Sequence, residues 1–258
     1  MMDRRGVSET IGFVFVFALV TASVGVVYTT GIGGLADARD DEQLTNAVRA
    51  FDVLDDNVED LTREGAPSRA TELKLSEATL GFGDPVSVEV QVNHTVTDAN
   101  ATYRGSTRPL VYSGTAGKAV FSAGATFRVD GDSAAMRNEP DLLVNERRSL
   151  VPLLVTYPRT DSGGVGGSST VLLVAHRQSQ QLDGEFDTGP DSADEARVNV
   201  TVESPRAAAW GRYFEEQGMV PPPSNPSLAD PGDGEVTYQF RTDHLLVPET
   251  VVEFEIQA

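Results

Sequence analysis

Arg4-Arg5-Gly6-Val7-Ser8-Glu9-Thr10 runs directly into Ile11–Tyr28, IGFVFVFALVTASVGVVY, with no spacer between the basic head and the apolar run. Between Ile11 and Tyr28 the only polar side chains are Thr21, Ser23 and Tyr28, and there is no formal charge. At 1.5 Å of rise per helical residue, about 20 such residues cross a hydrocarbon layer of roughly 30 Å. The run ends softly at Thr29, Thr30 and the glycines at 31, 33 and 34. It predicts one membrane-competent helix.

Three fates are open to it. Secretory signal peptides have shorter apolar regions, of 7–15 residues, before a small-residue cleavage site; here only Ala36-Asp37-Ala38 resembles one. An uncleaved anchor would keep Arg4 and Arg5 on the cytoplasmic side. In the third fate the chain is cut on that same side, ahead of the apolar run, and the helix stays attached to the exported C-terminal part.

The third fate has a local sequence, and Arg5-Gly6-Val7 matches it: a basic, a small and an apolar residue directly before the helix. Here the chain resembles archaeal type IV pilin-like proteins, whose leader is removed by a prepilin peptidase after the glycine. Gly6-Val-Ser-Glu-Thr-Ile-Gly12 with its Val/Phe/Ala-rich continuation is similar to the opening of haloarchaeal members. The resemblance implies a cut between Gly6 and Val7, export of the C-terminal part, and a helix that packs with other pilin-like subunits or with copies of itself. In bacterial pilins an assembly carboxylate stands at the fifth mature position, whereas Glu9 would be the third. Glu9 is therefore read both as a candidate assembly residue and as an interfacial residue at a helix start, where the macrodipole favours negative charge.

Composition fits an exported domain. The net charge is −19, Lys74 and Lys118 are the only lysines among 20 basic residues, and there is no cysteine. The acidic, lysine-poor surface resembles that of proteins from high-salt surroundings, where screening relieves self-repulsion. It argues against nucleic acid as a partner, since no basic stripe meets phosphates. Disulfide and thiolate chemistry are excluded.

Leu44, Val48, Phe51, Leu54, Val58 and Leu61 recur at spacings of three and four, one face of an amphipathic helix over residues 33–64. Gly65 and Pro67 end it. Gly31, Gly33 and Gly34 predict a flexible joint between its two halves, since each weakens a helix by about 1 kcal/mol relative to alanine. The expected organisation is a leader at 1–6, a membrane or filament-core helix at 7–32 (lipid contact over 11–32), an amphipathic helix at 33–64 and a β-rich extracellular domain at 65–258. The fold class is α+β: a long kinked N-terminal helix and a mainly antiparallel, sandwich-like head.

Period-two alternation and turn residues mark the head's strands at Thr71–Ser76, Val86–Val92, Thr107–Tyr112, Ala119–Ser122, Ala125–Val129, Leu150–Tyr157, Thr170–Arg177, Gln180–Asp187, Ala196–Val202, Glu235–Arg241 and Thr250–Ile256. Gly81–Pro85 reads as a turn. Thr160–Ser169 reads as a Gly/Ser hairpin tip, and Met219–Gly234 as an extended, proline-rich segment. One short helix interrupts the strands near 205–217, with Ser204 as N-cap, Pro205 at its first position and Gly218 at its end. Its Trp210, Tyr213 and Phe214 share one face, either as an aromatic binding platform or as the anchor of the helix on the sheet.

Motifs for chemistry are nearly absent. His94, His176 and His244 show no metal-ligand spacing, and there is no G-x-S-x-G. No catalytic residue, metal site or cofactor is expected, and a secreted hydrolase ranks behind the other readings. Asp130-Gly-Asp132 and Asp230–Glu235 carry oxygen ligands on tight turns without matching an EF-hand, a weak case for calcium. Asn93-His-Thr95, Asn100-Ala-Thr102 and Asn199-Val-Thr201 are N-glycosylation sequons, and Asn225-Pro-Ser227 is excluded by its proline. Two functions remain: a pilin-like structural subunit, or a membrane-anchored surface protein whose head binds a ligand or partner.

Overall fold

The computed structural model describes residues 4–94, 100–160, 164–187 and 196–257, with the side chains of residues 4–9 and 32 outside the described set. The chain divides into two units between Gln43 and Leu44, inside the first helix.

That helix, α1, runs from Arg4 to Thr62 without a break through Gly31, Gly33 and Gly34. The joint expected there is thus not a break in the helix. Glycine keeps both its N–H and its C=O, so the hydrogen-bond ladder passes through it, and cooperative propagation from long flanking turns offsets the intrinsic cost. The other end behaves as expected. Gly65 turns the chain at φ +77°, and the Ala66 N–H returns to the Asp60 carbonyl at 3.1 Å.

In the second unit, Leu44, Val48, Phe51, Leu54, Val58 and Leu61 are all buried, the face that the spacing predicts. They are followed by β1 (Ser68–Lys74), β2 (Ala78–Phe82), β3 (Val86–His94), β4 (Asn100–Thr107), β5 (Leu110–Gly114), β6 (Gly117–Ser122), β7 (Ala125–Asp130), β8 (Ser133–Asn138), β9 (Ser149–Leu150), β10 (Leu153–Pro158), β11 (Val165–Gly167), β12 (Thr170–Asp187), β13 (Ala196–Glu203), helix α2 (Ala207–Glu216), β14 (Glu235–Thr242) and β15 (His244–Gln257). One sheet has the order β1-β12-β15-β10, with β9 also on β15; a second is β11-β2-β5-β6-β7-β8; a third is β14-β13-β3-β4. All pairings are antiparallel except those of β9 and β10 with β15.

Three sheets replace the expected sandwich, and the second sheet shows why. Leu80, Leu110, Tyr112, Ala119 and Phe121 are buried in one cluster with the α1 face, while Val120, Ala125 and Phe127 are buried in another with α2 and the third sheet. A sheet that is apolar on both faces needs a cover on each side, which a two-layer sandwich does not supply. Strand β15 joins the two clusters, giving Leu245 and Val247 to one and Val252 and Phe254 to the other.

Several expected strands are redrawn. Thr107–Tyr112 is not one strand: Thr107 ends β4 in the third sheet and Leu110 begins β5 in the second, because Pro109 has no N–H for a ladder. Thr170–Arg177 and Gln180–Asp187 form the single strand β12, with irregularities between Arg177 and Ser179 and between Leu182 and Gly184. Within Thr160–Ser169, residues 161–163 lie outside the described set, and Val165–Gly167 pairs with β2. Met219–Gly234 is not extended throughout. The Asn225 N–H bonds the Pro222 carbonyl at 3.0 Å, and 3-10 turns follow at Pro226–Ala229 and Pro231–Asp233.

Helix α2 begins two residues later than Ser204 would set it. The Ser204 hydroxyl oxygen accepts the Arg206 N–H at 3.1 Å, closing a turn ahead of the helix, and Arg206 is the N-cap. Trp210, Tyr213 and Phe214 are buried, with Trp210 5.8 Å from Phe127 and Phe214 5.6 Å from Tyr238 between ring centres. The aromatics fix α2 onto the sheets; they form no open platform.

Gly184 marks a close approach. A Cβ there would overlap the Tyr103 ring, which lies against the β12 backbone at its second irregularity. Gly184→Ala is expected to cost about 1–3 kcal/mol, as overpacking does. The measurement is a thermal melt, and an unchanged Tm would mean that Tyr103 is not seated there.

Candidate functional site

From Ile11 to Tyr28 the large apolar side chains stand bare: Phe13, Phe15 and Val27 are each 70% exposed or more. The whole apolar window of α1 is 0% buried. Its threonine and serine hydroxyls are turned inward to the helix itself. Thr21 donates to the Phe17 carbonyl and Ser23 to the Leu19 carbonyl, each at 2.8 Å; Thr29 and Thr30 reach Gly25 and Val26 at 3.0 and 2.7 Å. Each thus spends its donor on a backbone carbonyl four residues back and needs no partner from outside the helix. The segment is long and apolar enough to anchor in a membrane.

Arg5, Gly6, Val7 and Glu9 lie in the first turns of α1, on helical backbone; their side chains are outside the described set.

The three sequon asparagines come together on one face of the third sheet. Asn93 pairs directly with Asn100 across β3 and β4, and with Arg197 across β3 and β13; Asn199 follows Arg197 by two residues, so all project from the same side. The valines between them, Val92, Val198 and Val200, face the core. Across this face Gln91, Asn199 and Gln239 stand side by side in register. Asn93, Asn199, Arg197, Gln239 and Arg241 line a cleft of about 910 Å³, walled further by residues 144–146, 217–218, 220 and 222–224. Nothing local in the sequence announces this convergence, since it depends on the pairing of four strands. Thr95 lies outside the described residues.

The weak calcium candidates stay separate. Asp130 is 3.2 Å from Arg128, and Asp230 accepts the Gly232 N–H at 3.1 Å to start a 3-10 turn. His94 packs on Phe186, His176 lies beside Glu255, and His244 beside Glu185. Among the described residues no three His, Asp or Glu side chains gather to hold a metal.

One polar cluster escapes sequence reasoning. Asp55 of α1 accepts a bond from the Asn138 amide at 3.0 Å, while Arg63 grips Asp141 through two nitrogens and lies 3.5 Å from Glu59. Burial lifts the Asp55 carboxyl from the usual range to about 7; the Asn138 bond opposes this, and Glu59, Asp141 and Asp56 add to it. The group ties α1 to the segment after β8, and it also lines a cleft of about 520 Å³. Its partners are some 80 residues apart, so no spacing signals it.

The sequence profile of DUF7289, described as a family of unknown function, matches residues 5–256. The chain belongs to that family. The match takes in the apolar part of α1, its buried part and the β head together. No curated protein and no solved structure matches the chain.

Proposed function

We propose that this DUF7289 member is a pilin-like surface subunit, processed between Gly6 and Val7 by a prepilin peptidase and carried to the cell surface with its head outside. The bare apolar half of α1, with the hydroxyls of Thr21, Ser23, Thr29 and Thr30 each bonded back to its own helix, is the observation that carries the reading. Such a surface needs lipid first and other apolar helices afterwards. Gly12, Ala18, Ala22, Ser23 and Gly25 let helices approach closely in either setting. The subunit's role is structural rather than catalytic. Asn93, Asn100 and Asn199 are its glycan acceptors, on one face of the head.

The test is the mature N-terminal peptide, read by mass spectrometry on protein from its own cells. A start at Val7 is expected. An intact Met1 or Met2 would overturn the processing, and a start after Ala36 or Ala38 would mean that the apolar segment is discarded.

A second reading keeps the helix in lipid and gives the head a binding task; the 910 Å³ cleft on the third sheet favours it. Mechanical shearing of cells separates the two, because filament subunits leave with the sheared fraction and anchored monomers stay with the membranes.

A further inference from the structure

Arg206 is the anomaly of this molecule. The chain has 39 aspartates and glutamates, yet two of the three guanidinium nitrogens of Arg206, Nε and Nη2, are buried with no hydrogen-bond acceptor. Burial alone lowers its pKa to about 10, a sign that no neighbouring carboxylate compensates the charge. It is also placed against the field of α2: as N-cap it sets a positive charge where the helix dipole favours a negative one. The ring of Phe127, 5.7 Å from the guanidinium carbon, offsets only part of this.

What Arg206 does have is a cleft. It lines a space of about 790 Å³ over one face of the second sheet. Val111 and Val129 form an apolar floor beside the buried Val120, with Lys118, one of the chain's two lysines, and Ser113 farther along the same strands. Val111 faces Val120, and Lys118 faces both Ser113 and Val129 in register, so these side chains share that face. Exposed Asp84 and Asp132 stand at the rim.

We propose that this cleft binds a small organic carboxylate, its single negative charge on Arg206 and Lys118 and its body on the valine floor. With Nε and Nη2 buried, the carboxylate meets the remaining guanidinium nitrogen, Nη1, in a single charge-assisted bond. The two rim aspartates disfavour ligands of higher negative charge, which keeps the site for monoanions. The site is independent of the N-terminal processing and of filament formation.

The experiment uses the full chain in non-ionic detergent, with potassium chloride exchanged for potassium glucuronate at constant ionic strength and glucose as the neutral match. Glucuronate at 100 mM is expected to raise the Tm by roughly 5 °C, as millimolar binding would, and glucose to leave it unchanged. Arg206→Met keeps the stem over Phe127 and removes the uncompensated charge. Its Tm without ligand is expected to equal or exceed that of the native chain, and its response to glucuronate to vanish. Lys118→Gln, at an exposed position, is expected to weaken the response without changing the unliganded Tm. No response in the native chain, or an equal response in Arg206→Met, would overturn the site.

Discussion

Phe51→Ala is expected to lower the stability of the head by about 3–5 kcal/mol, the cost of emptying a large aromatic site in a core. Phe51 is 0% exposed, in the cluster that also holds Leu54, Tyr112, Phe121 and Phe254. That cluster joins α1 to two sheets at once, so the cavity would sit where helix and strands meet and neither side can close it alone. Val53, two residues on, is 51% exposed, and Val53→Ala is expected to stay within about 0.5 kcal/mol. Chemical denaturation of both variants measures the contrast. A loss below about 1 kcal/mol for Phe51→Ala would mean that the head folds without α1.

The second large effect is a dependence on pH. Asp55 titrates near 7 in the folded chain against 3.8 for an ordinary aspartate. Folding therefore takes up a proton between those values. The contribution of this group to stability is greatest below pH 4 and falls as pH rises from about 4 to 7. Above 7 the head carries the full cost of a buried charged carboxylate. Full burial would make that cost larger; with Asp55 only partly shielded from water, about 2 kcal/mol is the expected scale. Asp55→Asn can still accept the Asn138 bond and has no charge to desolvate. Its stability is expected to exceed that of the native chain at pH 8 and to match it near pH 4. Urea midpoints at the two pH values give the comparison, and parallel curves for the two proteins would remove Asp55 from the account.

How much of this was legible in advance depends on the range over which each feature is determined. The buried face of α1 is written in the spacing of six residues, and all six are where periodicity puts them. Strand β13 alternates so regularly that its core valines are plain from Val198-Asn-Val200-Thr-Val202 alone. Strand β4, NATYRGST, alternates in burial but sets only Ala101, Tyr103, Gly105 and Thr107 inward, too polar a set to announce a core strand; β3 supplies its ladder. Strand β8 likewise rests on β7. Ser204 misplaced the start of α2 because a hydroxyl can close a local turn as readily as it caps a helix. The helix runs on through the three glycines for a related reason: propensity sets the cost of a helix locally, while the helical stretches on both sides decide whether it is met. Among the candidate sites, the apolar segment was fully visible, the sequons were visible singly but not as one face, and Asp55 with Asp141 was not visible at all. The one local hint of the Arg206 cleft was an arginine at a helix start, a position that favours the opposite charge.

Helix continuity from Arg4 to Thr62 has a mechanical consequence. An ordinary surface protein joins its anchor to its head by a linker, which a protease can cut to shed an intact head. Here the passage from the bare segment to Leu44 and Phe51 is helical throughout, and an extended substrate strand for a protease exists only after local unwinding. Shedding of an intact head by a protease therefore requires that unwinding first.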